Sequence, residues 1–345
     1  MDKSRERQSN FELLRIFAMA VIVIHHACVH SGFTFQKPSL NKIIVEMLEI
    51  GGKLGVVIFV LISGYFLIEK KNGVLKKGFM LWGQVFFYSF LFLGMVLFFH
   101  EDRLLSTGNI LMSIFPVIYR QYWFFSVYII IYIMFPYINK FARSMEEFEY
   151  KKLLIIMIVM WVIIPTLTNQ QLESNEILFF LLLYLGGGYM RLYGEKYKYK
   201  KHTMFKINII TLIFTWSTVL GFNIISEKIP FVGGYTTYFY GLQKVTILIL
   251  AVTLFYIFEN LHIKQNKLVN IVSSTTFGVY LIHDNVFMRE YIWHKIVNLE
   301  VYIDSIFLPV YIVGVSVIVY IVAGGIEFIR KQTVEKIYEK ILESI

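Results

Sequence analysis

Ten apolar stretches, each about 17–22 residues long, are strung along this 345-residue chain. A helix needs roughly 20 apolar residues to cross a hydrocarbon core about 30 Å thick. The stretches are 11–29, 50–68, 79–99, 122–141, 152–168, 176–193, 205–226, 237–258, 270–288 and 302–323. They predict an all-α, polytopic integral membrane protein of about ten transmembrane helices, built as one membrane-embedded domain over 1–345. A further stretch, 104–118, is apolar but short and interrupted by Ser, Gly and Asn. It is expected to be interfacial or re-entrant.

Composition supports the membrane class. Charged residues make up only 17% of the chain, where a soluble protein carries about a quarter. The many Phe and Tyr suit lipid contact and an interfacial belt. The single cysteine, Cys28, allows no intrachain disulfide. Lys and Arg placement sets the orientation. With the amino terminus in the cytoplasm, 24 of the 33 fall on cytoplasmic segments, from Lys3, Arg5, Arg7 and Arg15 through Lys198 to Lys340. Eight fall outside and Lys244 lies within a span. The bias alternates at every loop, which places both termini in the cytoplasm. It also argues against nucleic acid as a partner, because the charge is spread over six short segments. The first span is not expected to be a cleaved signal peptide, since no small-x-small site follows it.

That first span carries Arg15 and His26. Ionisable groups inside a membrane helix are costly and mark function. Eleven residues at about 100° each return to within about 20° of the start, so the two share a face, roughly 16 Å apart along the axis. Glu12, Met19 and Ile22 fall on the same stripe. His25 points about 100° away. His30, four residues beyond His26, has metal-ligand spacing, but no third ligand stands out and no metal is expected. A structural reading also exists for His26, hydrogen-bonded to a neighbouring helix.

Elsewhere the bland and functional readings compete. Ser63-Gly64 suits close helix packing better than a nucleophile. Trp123 opens the fourth span, where an aromatic belt is the plain reading. Gln243 and Lys244 are placed well inside the eighth span, so Lys244 should face a polar interior. The ninth span, with Ser273 to Thr276, Tyr280, His283, Asp284 and Asn285, is too polar for lipid and should line a cavity. Tyr280 and His283 share a face.

The segment Asn10 to His30, with Arg15 and His26 spaced as Arg-x10-His, resembles the opening of the acyltransferase family 3 integral-membrane O-acyltransferases. Phe59–Leu67, Tyr122–Asn139 and Phe277–Asn285, the last followed by Arg289 and Trp293, resemble the later blocks of that family in order. The nearest resemblance is to the bacterial branch that acylates surface polysaccharides. Some relatives carry an extracytoplasmic esterase-like domain. Here transfer is expected to be completed within the membrane domain or by a separate protein.

The resemblance implies transfer of an acyl group, acetyl by expectation, from cytoplasmic acetyl-CoA to a hydroxyl of a cell-surface polysaccharide or its lipid-linked precursor. The implied location is the bacterial cytoplasmic membrane, with acyl-CoA, glycan and membrane lipid as partners. Arg15 is then expected to fork onto a CoA phosphate, helped by the field of Lys70, Lys71, Lys76 and Lys77. His26 serves as general base or as a covalent acyl carrier. Glu12 holds Arg15 or supports the site through another partner, and Tyr280 and His283 bind the acceptor or the thioester oxyanion. Trp123, Asp284, Asn285, Arg289 and Ser63 are the candidate substrate contacts. Two alternatives share the same polar cavity: an exporter of polysaccharide or lipid-linked sugar, and a non-catalytic partner in glycan assembly.

The orientation is open to direct test with a membrane-impermeant maleimide. Cysteines introduced as Lys76→Cys and Lys198→Cys should label only from the cytoplasm, and Gln170→Cys only from outside. Labelling of position 198 from outside breaks the ten-helix reading.

Overall fold

The structure, a computed structural model, describes residues 7–71, 75–196 and 199–344. Lys3, Arg5 and Lys198 of the charge count lie outside them. Among the described residues every regular element is helical. In chain order the helices are α1 (Ser9–His30), α2 (Leu40–Leu48), α3 (Gly51–Leu67), α4 (Leu75–Phe98), α5 (Thr107–Ile114) and α6 (Trp123–Ser144). Next come α7 (Glu147–Ile158), a π-helical turn (Val159–Ile163) into α8 (Ile164–Thr168), α9 (Glu176–Tyr193), α10 (Lys201–Ser226) and α11 (Val245–Glu259). The chain closes with α12 (Lys267–Ser274), α13 (Thr276–His283), α14 (Val286–Arg289), a π-helical turn (Glu290–Val297), α15 (Leu308–Gln332) and α16 (Val334–Ser344).

Nine helical segments among the described residues are long and apolar enough to cross a membrane. They correspond to nine of the ten sequence stretches. The exception is 270–288, which is not one continuous helix. It is α12 and α13, eight residues each, broken at Thr275. The hydroxyls of Ser274, Thr275 and Thr276 bond back to the carbonyls of Ile271, Val272 and Ser273 at 2.7, 2.8 and 2.9 Å. Such back-bonding competes with the helix ladder and bends it. After His283 the side chain of Asn285 accepts from the Phe287 amide at 3.0 Å and starts α14.

One other expectation needs adjusting. Lys244 is not deep inside a helix. It precedes the first residue of α11, because the glycine-rich stretch before it (Gly233, Gly234, Gly241) forms short 3-10 turns instead. Within 104–118 only Thr107–Ile114 is α-helical, about 12 Å long at 1.5 Å per residue and too short to span.

The bundle is organised around α3, which packs between α1, α9 and α11 and is buried along nearly all its length. Apolar packing between helices gains little in lipid, so close backbone approach matters more. Small residues provide it. A Cβ on Gly64 would lie 2.1 Å from the Tyr184 carbonyl oxygen, and one on Gly187 would lie 2.1 Å from that of Leu61. α10 and α15 sit at the periphery and expose apolar rows such as Ile210, Ile213 and Phe214, or Val317, Ile318 and Ile321.

The packing makes a prediction. Gly187→Leu should pry α9 from α3 and lower the melting temperature in detergent, since overpacking a tight contact costs about 1–3 kcal/mol or more. Gly94→Leu, with nothing within 4 Å of its Cβ, should melt like the parent protein.

Candidate active site

α1 runs beside α12 and α13 in the same direction. At its start Ser9 Oγ donates to Asn270 Oδ1 at 3.2 Å. One turn on, Ser273 Oγ donates to Glu12 Oε2. Further along, His26 Nδ1 meets His283 Nε2 at 2.8 Å. The stripe expected from the sequence thus faces inward: Glu12, Met19 and Ile22 are buried.

At the amino-terminal end of the stripe, Arg15 Nη1 donates to Glu12 Oε1 at 2.6 Å, and its guanidinium lies 5.4 Å from the Phe66 ring centre. Glu12 is locked by Ser273 on one oxygen and Arg15 on the other. That arrangement engages Nη1 of Arg15 and leaves the Nε–Nη2 edge as a planar fork. Lys77 lies within electrostatic range of Arg15, Lys70 and Arg7. Lys71 and Lys76 are exposed nearby in the chain.

The other end holds the histidine cluster. The Val279 carbonyl can only accept, so the 2.5 Å contact from His283 Nδ1 makes that nitrogen the N–H donor. A neutral His283 then presents Nε2 as an acceptor, and His26 donates to it from Nδ1. The network therefore assigns the lone pair of His26 to Nε2. Asp284 Oδ1 lies 3.6 Å from His26 Nδ1 and 3.7 Å from His30 Nε2. Arg289 donates to that same oxygen through Nε at 2.9 Å and Nη2 at 2.7 Å. Asp284 is fully buried and its second carboxylate oxygen has no partner. A carboxylate so placed stabilises positive charge developing on His26, the part that aspartate plays in a hydrolytic triad.

The two adjacent histidines have separate roles. His25 bonds the Glu49 carbonyl oxygen at 2.7 Å through Nδ1, and its ring packs where a Cβ on Gly52 would come within 2.4 Å. His25 thus braces the α2–α3 junction.

The structure brings Tyr280 into the cluster's wall, its ring 5.7 Å from Tyr122 and 5.9 Å from Phe124. Asn285 is buried and donates to the Tyr122 hydroxyl at 2.9 Å, which in turn donates to the Leu281 carbonyl at 3.0 Å. Asn285 therefore acts as a brace here. Ser63 is not joined to the cluster by a hydrogen bond; its hydroxyl donates to Phe59 O at 2.9 Å and to Tyr128 at 3.4 Å. Trp123 lies apart too, its ring 4.9 Å from the Lys53 ammonium.

Sequence reasoning did not reach the third group near His26 and His30. Asp284 supplies it: ligand atoms of the three lie within 4.8 Å of one another. Arg289 is paired with Oδ1 of that carboxylate. Ser273 and Lys53 were also passed over as partners. Ser273 was visible only as one hydroxyl in a polar run, and Lys53 only as a lone cation beginning an apolar one.

The family model described as an acyltransferase domain matches residues 8–326. Comparison with curated proteins and with solved structures finds no match.

Proposed function

The chain belongs to acyltransferase family 3 and is a multi-pass membrane acyltransferase, and from that premise we propose that it moves acetyl from cytoplasmic acetyl-CoA to a hydroxyl of a cell-surface polysaccharide or its lipid-linked precursor. The observation that carries this is one helix face with two different ends. A free guanidinium fork sits at the amino-terminal end of α1, and an imidazole with a defined lone pair sits about 16 Å away. A long thin thioester arm anchored by phosphate suits that spacing. The positive-inside bias supports a cytoplasmic Arg15 and an outward-facing histidine cluster in the bacterial cytoplasmic membrane.

In this mechanism Arg15 holds a CoA phosphate through its Nε–Nη2 edge, and Lys70 and Lys77 add field. Lys71 and Lys76 extend that field at the mouth. The thioester reaches His26. His26 Nε2 takes the proton of the acceptor hydroxyl as its oxygen attacks the carbonyl carbon. The new C–O bond forms, the C–S bond breaks, and the proton passes from His26 to the leaving thiolate. Asp284 stabilises the transient imidazolium, and the Tyr280 hydroxyl is the nearby candidate for the oxyanion. Acetyl-CoA is the only cofactor in this scheme. The decisive measurement is NMR of the surface glycan with and without the protein. O-acetyl signals that come and go with it support transfer, and unchanged acetylation with altered glycan export supports the exporter.

His26→Ala should abolish transfer while leaving the protein inserted and folded. His25→Ala should keep part of the activity, because its ring serves the α2–α3 junction. Equal loss in both, read as initial rates in proteoliposomes, removes the assignment of His26 as base.

Arg15→Lys keeps the charge and loses the planar fork. Acetyl-CoA binding should weaken by about 1–3 kcal/mol, the size of a charged hydrogen bond. Parent-like affinity and glycan acetylation in this variant leave Arg15 as an orientation signal only.

A further inference from the structure

At the carboxyl-terminal end of α1 the bundle holds a cavity of about 560 Å³, walled by Lys53, Arg120, Trp123, Asn175, Gln243 and Lys244 among others. That volume is within the range of roughly 300–1,000 Å³ typical of small-ligand sites. Four helices begin at it. Lys53 lies in the first turn of α3, Trp123 opens α6, Asn175 caps α9 and Lys244 precedes α11. Several of their first amides are already capped, among them Leu178 N–H by Asn175 and Val245 N–H by Thr166, but each helix start still directs the positive end of a macrodipole toward the cavity.

The side chains add to that field. Arg120 pairs with Glu176 at 3.0 Å. Lys244 is 6% exposed, and its ammonium is held by neutral groups: the Pro165 carbonyl at 2.7 Å, Asn169 Oδ1 at 3.2 Å and the Tyr238 ring at 3.7 Å. Lys53 faces the Trp123 ring. Among the described residues neither lysine has a carboxylate within ion-pair distance. Lys244 is a buried ammonium held only by neutral groups, which is costly, and the helix starts raise that cost. Glu176, which lines the cavity within electrostatic range of half-buried Lys53, is already paired with Arg120. An anion in the cavity offsets that cost.

The rim is strained as well. Of the six non-glycine residues with positive φ among the described residues, two line the cavity: Arg120 and Asn169. Strain of this kind collects at binding sites. On one side of the cavity Lys53 lies within electrostatic range of Asp284 in the histidine cluster.

We infer that this cavity binds the anionic group of a saccharide acceptor, a uronate carboxylate or a phosphodiester, so that the acceptor is an acidic glycan. The inference rests on the acyl-transfer reading for the word acceptor. Trp123 gives a sugar ring an apolar face, and the side-chain amides along the wall suit its hydroxyls.

The test uses full-length protein in phosphatidylcholine nanodiscs and isothermal titration calorimetry. One probe is a glucuronate-containing tetrasaccharide; its carboxyl-reduced, neutral counterpart is the control. A glycerol phosphate tetramer is the phosphodiester arm. At least one charged probe should bind on the order of tenfold tighter than the neutral one, the scale of one charge-assisted hydrogen bond. Lys53→Gln should erase that preference without lowering the melting temperature, and Lys53→Arg should retain it. Equal binding of charged and neutral probes by the parent protein overturns the inference. So does a preference that survives both Lys53→Gln and Lys244→Gln. Charge-selective binding without acetyl transfer from acetyl-CoA supports the anion site and removes the transfer reading instead.

Discussion

The pairing of α1 with the broken segment α12–α13 is what the rest of this structure depends on. Hydrocarbon offers no partner to a polar group, so each polar group brought into the bundle must find one in the protein. α1 brings Glu12, Arg15, His26 and His30. The opposing segment answers with Ser273 for Glu12, His283 for His26, and Asp284 between His26 and His30. Neither strand of this ladder would be tolerable alone. The hydroxyl-rich break at Thr275 is part of the same solution, because it lets a polar segment change direction beside α1 while its own backbone groups stay satisfied.

α3 then fixes the ladder in place from behind. Gly55 packs against the Ala18 carbonyl and Gly51 against that of Val21. The α1 backbone is thus held at contact distance over about one turn. On its far side α3 repeats the device with α9 through Gly64 and Gly187. Rigid backbone contacts matter for a site whose proton-accepting nitrogen is set by a chain of hydrogen bonds. The chain runs from the Val279 carbonyl to His283 and on to His26. A shift of about 1 Å between α1 and α13 would break the 2.8 Å His26–His283 bond and free His26 to exchange tautomers.

Much of this was legible in the sequence. The 3.6-residue period alone put Glu12, Arg15 and His26 on one face, and hydropathy located the helices. The partners were not legible, because each lies more than 250 residues away and pairing at that range is a tertiary event. The ninth stretch read as a continuous span because hydropathy averages over a break. The signal for the break, four consecutive hydroxyl residues, is also compatible with an intact helix. Lys244 looked like a mid-span charge for a related reason: aromatic 3-10 turns are as apolar as a helix, and only glycine content separates them. The histidine pair with metal-like spacing lacked a third group until folding delivered Asp284, which came already paired with Arg289.

That last pairing bears on why His26 rather than His30 suits a base. Both rings approach the same oxygen of Asp284, at nearly equal distances. His26 also donates to His283. Its Nδ1–H thus goes to an imidazole that fixes the tautomer, while the carboxylate 3.6 Å away favours the cation through space. The first sets which nitrogen receives a proton; the second lowers the cost of receiving it. Arg289 opposes the second effect by drawing on the same oxygen. The basicity of His26 is thereby tied to the position of Arg289, whose side chain is a third exposed.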